Sequence, residues 1–132
     1  MKVTGHCYCG KTTIAAKSPR TTLYCHCDDC RRSAGAPVTA FVEFAVEDVE
    51  ISGGHEKTVT VNTGVTRSFC GNCGSPVSGI YDYLPGMIYI SLGLLDQAAD
   101  LGPEMHAFYH RKYPWLEIAD DLEKIDEEYR TD

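Results

Sequence analysis

The sequence predicts a small, mainly β protein in which one domain spans residues 1–132. Three observations lead to this prediction. The chain is 132 residues long, its regular stretches are short runs of β-branched and aromatic residues, and twelve glycines separate these runs. No internal repeat or low-complexity linker divides the chain. The expected architecture is therefore a small, curved β-sheet protein.

Five stretches are predicted as strands because they are rich in β-forming residues and end at turn residues. They are residues 12–16, 38–44, 58–61, 65–69 and 87–92. The second stretch alternates with period two, and the last is the most apolar of the five. Asn62, Thr63 and Gly64 lie between the third and fourth stretches and predict a hairpin turn.

Only two stretches are predicted to be helical. One is a short turn at residues 28–33, and the other is the C-terminal tail at residues 119–129, so a short C-terminal helix is expected. The tail is strongly acidic from about residue 120 to residue 132. We interpret this acidic tail as a solvated helix or a frayed end.

Charge and hydropathy narrow the classes of partner. The formal net charge of −7 argues against a nucleic-acid partner, because binding to phosphates requires clustered cations. No apolar run approaches the ~20 residues that span a bilayer, and the first residues lack the apolar segment of a secretory signal. We therefore expect a cytoplasmic protein with no membrane partner, in a compartment where disulfides rarely persist.

The seven cysteines are the strongest chemical signal in the chain. They form three tight clusters: Cys7 and Cys9; Cys25, Cys27 and Cys30; Cys70 and Cys73. An odd number of cysteines weakens a full disulfide framework. Two sulfurs separated by one or two residues reach one metal ion easily, whereas a disulfide between such near neighbours is strained. The spacing therefore predicts zinc binding.

The first and last clusters together predict a structural zinc site. Gly74 directly follows Cys73, as is typical of a zinc knuckle in which glycine adopts a positive φ. Cys7, Cys9 and Gly10 form a similar motif with one residue fewer. The two pairs supply four thiolates for one tetrahedral ion. Such a site would connect the N-terminal strand to a hairpin about sixty residues away, which constrains the unfolded chain.

The middle cluster predicts a different kind of site. Three thiolates can hold one zinc ion and leave its fourth position open, which is a property of catalytic sites. Alternation along an extended segment places Cys25 and Cys27 on one face and His26 on the other.

Two alternatives to this catalytic site remain open from spacing alone. In the first, the middle site is structural and is completed by His6, His26, His106 or Asp28. In the second, the two Cys-x2-Cys pairs are redox motifs, although the βαβ setting that is usual for such motifs is absent from the predicted elements.

Arg31 and Arg32 follow Cys30 directly and are candidate substrate-binding residues. Two cations beside thiolates favour the ionised sulfur and can hold a carboxylate through paired hydrogen bonds. A solvated pair that offsets local acidic residues explains the same sequence equally well. His106 is interpreted as a hydrogen-bonded structural histidine.

Several segments resemble the glutathione-dependent formaldehyde-activating enzymes and their relatives, which include centromere protein V. The similar segments are residues 5–10, 25–37 and 69–76, with weaker similarity at residues 93–96 and 103–106. The resemblance implies a mainly β domain of several short, coiled antiparallel sheets that two zinc ions per chain stabilise. It implies that the first and last cysteine clusters hold the structural zinc and that Cys25, Cys27 and Cys30 hold the second, functional zinc.

The resemblance also implies an activity, in which the thiol of glutathione is joined to formaldehyde to give S-hydroxymethylglutathione. This family is classed with the carbon–sulfur lyases, after the reverse reaction. The favoured function is therefore a zinc-dependent enzyme with small-molecule thiol and aldehyde substrates, with Cys25, Cys27 and Cys30 acting through the second zinc. The alternatives are a non-catalytic zinc-binding protein-interaction module and a thiol or metal carrier. The oligomeric state stays open.

Overall fold

The structure is a computed structural model that describes residues 1–126. Within this range the chain forms eleven strands and one helix, which confirms the mainly β fold. The strands are β1 (Lys2–His6), β2 (Thr13–Lys17), β3 (Thr22–Cys25), β4 (Thr39–Ala45), β5 (Val49–Ser52), β6 (Glu56–Val59), β7 (Val65–Cys70), β8 (Pro76–Tyr81), β9 (Met87–Ser91), β10 (Met105–Ala107) and β11 (Glu123–Lys124), and the helix is α1 (Asp28–Ala34). None of the helical segments in residues 1–126 is long and apolar enough to cross a membrane.

The strands form two sheets of unequal size. The small sheet has the order β1-β2-β5 and is antiparallel throughout. The large sheet has the order β11-β10-β3-β4-β9-β8-β7-β6. Its strands are antiparallel except at β10, which pairs parallel with β3 on one side and with β11 on the other. The described part of the chain therefore departs from the expected all-antiparallel arrangement only at this edge.

The main apolar core joins the small sheet to one face of the large sheet. Val42 and Phe44 of β4 are fully buried there, together with Val3 and Ile14 of the small sheet. Because side chains alternate along a strand, Phe41 and Glu43 of β4 point to the opposite face.

The opposite face of the large sheet carries a second apolar cluster. It contains Phe41 and Tyr89 of the sheet and two of the cysteines, Cys25 and Cys30. The central strand β9 is buried on both faces, as its apolar sequence predicts. The large sheet thus separates the main core from the part of the molecule that holds the middle cysteine cluster.

The predicted strands correspond to β2, β4, β6, β7 and β9, with ends that differ by one or two residues. The turn at residues 62–64 joins β6 to β7, where Gly64 has a φ of +81°. The predicted helical turn is α1. Three of the missed strands lack clear alternation: β3 is buried on both faces, β8 begins with Pro76 and contains Gly79, and β10 has only three residues. By contrast, β1 and β5 were missed although their exposure alternates.

The prediction of a C-terminal helix is wrong for the residues that the structure describes. No helix occurs between residues 119 and 126, where Glu123 and Lys124 instead form β11 beside β10. The backbone N–H of Ile125 donates to the carbonyl of His106 at 2.9 Å. Because these long-range hydrogen bonds dock the tail on the sheet, they override the local helix propensity, and the tail up to residue 126 is not a freely solvated end. Residues 127–129 of the predicted helix lie outside the described range.

Gly5 offers a test of how tightly the small sheet is docked. It forms a bridge with Leu95, and a Cβ placed on Gly5 would lie 2.3 Å from the carbonyl oxygen of Leu94. We expect Gly5→Ala to lower the free energy of unfolding by about 1–3 kcal/mol, because the backbone must move to relieve this overlap. Chemical denaturation measures the change. Gly102→Ala is the control, since a Cβ there meets no atom within 4 Å. Equal losses in the two variants would contradict the prediction.

Candidate metal centres and the adjoining cavity

The first and last cysteine clusters converge at one place. The sulfurs of Cys7, Cys9, Cys70 and Cys73 all lie within 4.8 Å of one another. The Sγ atoms of Cys7 and Cys9 are 3.6 Å apart, and those of Cys9 and Cys70 are 3.8 Å apart. A tetrahedral zinc with four thiolates has zinc–sulfur distances of about 2.3 Å, which places its sulfurs about 3.8 Å from one another. The four cysteines therefore fit a closed metal site.

The two loops that supply these cysteines have the same backbone design. The N–H of Gly10 donates to the carbonyl of Cys7 at 3.0 Å, and that of Gly74 donates to the carbonyl of Cys70 at 2.8 Å. Both glycines have a φ of +82°, a region that glycine enters without steric cost. This result confirms the positive φ predicted for the glycine after each cysteine pair.

Hydrogen-bond donors surround the sulfurs of this four-cysteine site. The backbone N–H of Thr12 donates to Cys7 Sγ at 3.3 Å, and that of Asn72 donates to Cys70 Sγ at 3.4 Å. Hydrogen bonds from the hydroxyl and backbone of Ser75 lower the pKa of Cys73 to about 5. Because donors stabilise ionised sulfur, the site is prepared for thiolates that bind a cation.

The middle cluster lies where β3 passes into α1. Cys25 is the last residue of β3, Cys27 caps the helix, and Cys30 is in its first turn. The N–H of Cys30 donates to Cys27 Sγ at 3.3 Å, which is the hydrogen bond of a side-chain N-cap. The three sulfurs lie within 4.8 Å of one another. The two-residue gap between Cys27 and Cys30 therefore has a structural reason, since it spans the distance from the cap to the first turn.

Ionisation of the three thiols is strongly coupled. Hydrogen bonds with Cys25 and Cys27, followed by the positive charge of Arg67, lower the pKa of Cys30 to about 3. The same hydrogen bonds, together with burial, raise the pKa of Cys25. Ionisation of one of these crowded sulfurs therefore opposes ionisation of its neighbours. A cation bound between them would allow the remaining thiols to ionise.

No fourth ligand joins this triad among residues 1–126. His26 Nε2 lies 2.9 Å from His106 Nδ1, so these two rings are engaged with each other. His6 Nδ1 lies 2.7 Å from the carbonyl oxygen of Cys7, and Asp28 forms ion pairs with arginines of α1. None of the four candidates from the sequence joins the three sulfurs in the described part of the chain.

A buried histidine chain lies behind the triad. His106 Nε2 is 2.8 Å from a carboxylate oxygen of Asp120, and His106 in turn contacts His26. Burial, and then the proximity of His106, lowers the pKa of His26 to about 4. These contacts confirm that His26 points away from the sulfurs and that His106 is a hydrogen-bonded structural residue. The role of Asp120 could not be predicted from local sequence, because its contact with His106 depends on the docking of the tail beside β10.

A cavity of about 400 Å³ opens beside the triad. Its wall contains the three cysteines, aromatic side chains that include Tyr81 and Phe108, and the cationic residues Arg67 and Arg111. Phe108 has a φ of +54°, a region in which non-glycine residues are rare and strained. The cavity volume falls within the range of small-molecule sites.

Arg67 is the cation closest to the triad, and the sequence analysis missed it. Its guanidinium donates to the hydroxyl of Tyr81 at 3.2 Å and approaches Cys30 Sγ at 3.8 Å. Burial, and then the negative charge of Cys30, raises the pKa of Tyr81. The one available signal was a lone arginine within the β-rich run of residues 65–69. Only the pairing of β7 with β8 brings that arginine next to Tyr81.

Arg31 and Arg32 lie elsewhere on α1, and neither is part of this cavity wall. Arg31 donates to the carbonyl of Arg111 at 2.6 Å and packs over the ring of Tyr113 at 4.0 Å. Arg32 pairs with Asp28 at 3.0 Å, and 80% of its side chain is exposed. Their assignment to substrate binding stays a prediction.

A buried carboxylate fixes the far wall of the cavity. The hydroxyl of Tyr89 donates to Glu43, which is only 1% exposed. Arg20 Nε approaches the same carboxylate at 3.9 Å from the solvent side. Because a buried carboxylate needs such partners, this chain of contacts holds the Tyr89 ring against the cavity.

Mutation should separate the two metal centres. We expect Cys70→Ser to abolish the cooperative thermal transition, because structural zinc sites contribute on the order of 10 kcal/mol to folding. Cys27→Ser should retain a cooperative transition and lose only the metal of the triad. Thermal melts together with metal analysis of both variants measure these effects. If Cys27→Ser damages folding more, the structural and functional roles are reversed.

Comparison with known proteins agrees with this architecture. The sequence profile of the family described as glutathione-dependent formaldehyde-activating enzyme matches residues 2–111. The crystal structure of a Rhodobacter sphaeroides protein, a structural-genomics target, superposes with a TM-score of 0.63 at 20% sequence identity, covering 75% of this chain and 94% of that chain. No curated protein sequence matches. The profile spans most of the chain and includes both cysteine sites, and the protein therefore belongs to the glutathione-dependent formaldehyde-activating enzyme family.

Proposed function

We propose that this protein is a zinc-dependent enzyme of the carbon–sulfur lyase type, which joins a glutathione-like thiol to formaldehyde or another small aldehyde. The observation that carries the proposal is the triad of Cys25, Cys27 and Cys30, which has no fourth ligand among residues 1–126 and lines a cavity beside Arg67. Family membership supports the thiol and aldehyde as substrates. The proposal places the protein in the cytoplasm, where thiols stay reduced.

The reaction needs few groups. The thiol loses its proton, a sulfur–carbon bond forms at the aldehyde carbon, and the carbonyl oxygen gains a proton to become a hydroxyl. When it is bound at the triad, zinc supplies Lewis acidity at the cavity wall. The protein must then orient the thiol, bring the aldehyde beside it and provide a hydrogen bond to the oxygen.

The side chains around the cavity match these tasks. Arg67 lies inside the cavity and Arg111 is exposed and lines it, so the two can bind the two carboxylates of a glutathione-like thiol. Three thiolates and one dication leave a net charge of −1, which Arg67 offsets. Because its pKa is raised, Tyr81 keeps its proton and can donate a hydrogen bond to the aldehyde oxygen.

If the protein were a non-catalytic interaction module, the triad would be expected to have a fourth ligand from the protein. Structural zinc sites are closed by protein ligands, as the four-cysteine site is. The open triad beside a cavity favours the enzyme over the module.

The metal content tests the zinc proposal directly. We expect protein that is purified without chelators to contain two zinc ions per chain, because both cysteine sites have the geometry and ligand chemistry that zinc prefers. Elemental analysis measures the number and identity of the ions. One zinc ion or fewer per chain, unchanged after zinc is added, would remove the two-site proposal. The triad should lose its ion to a chelator first, since it contributes three ligands rather than four.

Arginine variants test how the thiol is held. We expect Arg67→Ala to weaken glutathione binding by about 1–3 kcal/mol, the range of a charge-assisted hydrogen bond. Arg67→Lys should recover part of this loss, because lysine keeps the charge without the paired geometry of arginine. Calorimetry on zinc-loaded protein measures both.

Arg32→Ala is the matched control, because Arg32 lies outside the cavity of the triad and is mostly exposed. It should leave glutathione binding unchanged. A loss in Arg32→Ala as large as that in Arg67→Ala would favour the assignment of Arg31 and Arg32 that the sequence suggests. No binding of glutathione at millimolar concentration by wild-type protein would contradict the glutathione proposal.

A further inference from the structure

A second cavity, which we call the side groove, adjoins the cavity of the triad. Its volume is about 830 Å³, roughly twice the 400 Å³ of the first cavity. The two cavities share Asp29, Phe41, Val65 and Arg67 as wall residues. A ligand that is held near Cys30 and Arg67 therefore has adjacent space into which it can extend.

The wall of the side groove is mainly apolar. It is formed by side chains of α1, β4, β6, β7 and β8, and the apolar ones include Val38, Val59, Val61 and Phe69. Val59 and Val61 are 43% and 82% exposed, respectively. Such side chains favour a ligand that removes them from water.

Several of the polar side chains in the side groove are already hydrogen-bonded within the protein. The hydroxyls of Ser68 and Ser78 are 2.6 Å apart and bond to each other. Thr39 donates to the carbonyl of Cys25 at 3.1 Å, and Ser33 donates to the carbonyl of Cys30 at 3.1 Å. Because these hydroxyls already have partners within the protein, they have less to offer a charged ligand. Of the charged wall residues, Arg32 pairs with Asp28, and Asp29 and Arg67 are shared with the cavity of the triad.

The chemistry of the side groove is poorly matched to formaldehyde or to glutathione. Formaldehyde has no apolar substituent, and glutathione carries charged groups along its length. We propose that the side groove binds an apolar substituent of the aldehyde, so that the preferred substrate is an aldehyde with a chain or ring of several carbon atoms. This inference rests on the proposed function and specifies its substrate class. The thiol still adds to the aldehyde carbon beside the triad, and its proton still passes to the carbonyl oxygen.

Inert analogues of the adduct test this inference by binding alone. S-methylglutathione and S-hexylglutathione carry a short and a long substituent on the same sulfur. Complete burial of one methylene strengthens binding by about fourfold, and partial burial by about twofold. We therefore expect zinc-loaded wild-type protein to bind S-hexylglutathione at least about tenfold more tightly than S-methylglutathione. Calorimetry measures the ratio.

A pair of variants assigns the effect to the side groove. Val59→Asp places a charge on the groove wall and should reduce the hexyl-to-methyl ratio by about fivefold or more. Val46→Asp is the matched control, because Val46 is 42% exposed, close to the 43% of Val59, and lines neither cavity. The control should keep the wild-type ratio. Similar reductions in both variants would overturn the inference.

Turnover separates the failure of this inference from the failure of the proposed function. Exchange NMR at equilibrium measures the rate at which glutathione adds to formaldehyde and to hexanal. Faster catalysed exchange with hexanal supports the inference. If glutathione binds and formaldehyde exchanges, but hexanal is not preferred and the two S-alkyl compounds bind within twofold of each other, the inference is wrong and the function stands. If none of the glutathione compounds binds, both are wrong.

Discussion

The convergence of four cysteine sulfurs between the two sheets is the constraint on which the rest of the structure depends. Cys7 and Cys9 follow β1 of the small sheet, and Cys70 and Cys73 lie between β7 and β8 of the large sheet. An ion bound there closes a loop of about sixty residues and holds the small sheet against the face that carries Val42 and Phe44. A core of this size benefits from such a connection, because a short chain buries a modest fraction of its apolar surface.

The two metal centres differ because their backbones differ. In the four-cysteine site, two loops with glycines at positive φ place sulfurs around one point, where they would enclose a bound ion. In the triad, one strand end and one helical turn supply all three sulfurs from within six residues. A single local segment covers only one side of an ion, so the other side faces the cavity. His26 contacts His106, and His106 contacts Asp120, so neither ring joins the three sulfurs.

Local features of the structure could be predicted from the sequence, and long-range features could not. Neighbouring residues are enough to predict the cysteine pairs, the glycines that follow them and the alternating strand β4. By contrast, β10 and β11 exist only because they pair with each other and with β3. Arg67 lies 37 residues from Cys30 in the chain, and nothing in its immediate sequence links the two. Arg31 and Arg32, by contrast, are predicted from their position directly after Cys30.

The two arginines of α1 that follow Cys30 in sequence make their contacts with other parts of the protein. Arg31 packs on Tyr113, and Arg32 reaches back along the helix to Asp28. Arg67 approaches from β7 across the cavity, where water is partly excluded and a charge acts more strongly than at the surface. Its guanidinium contacts both Cys30 and Tyr81, so a single cation from β7 connects the sulfurs of the triad to the opposite strand at the boundary with the side groove.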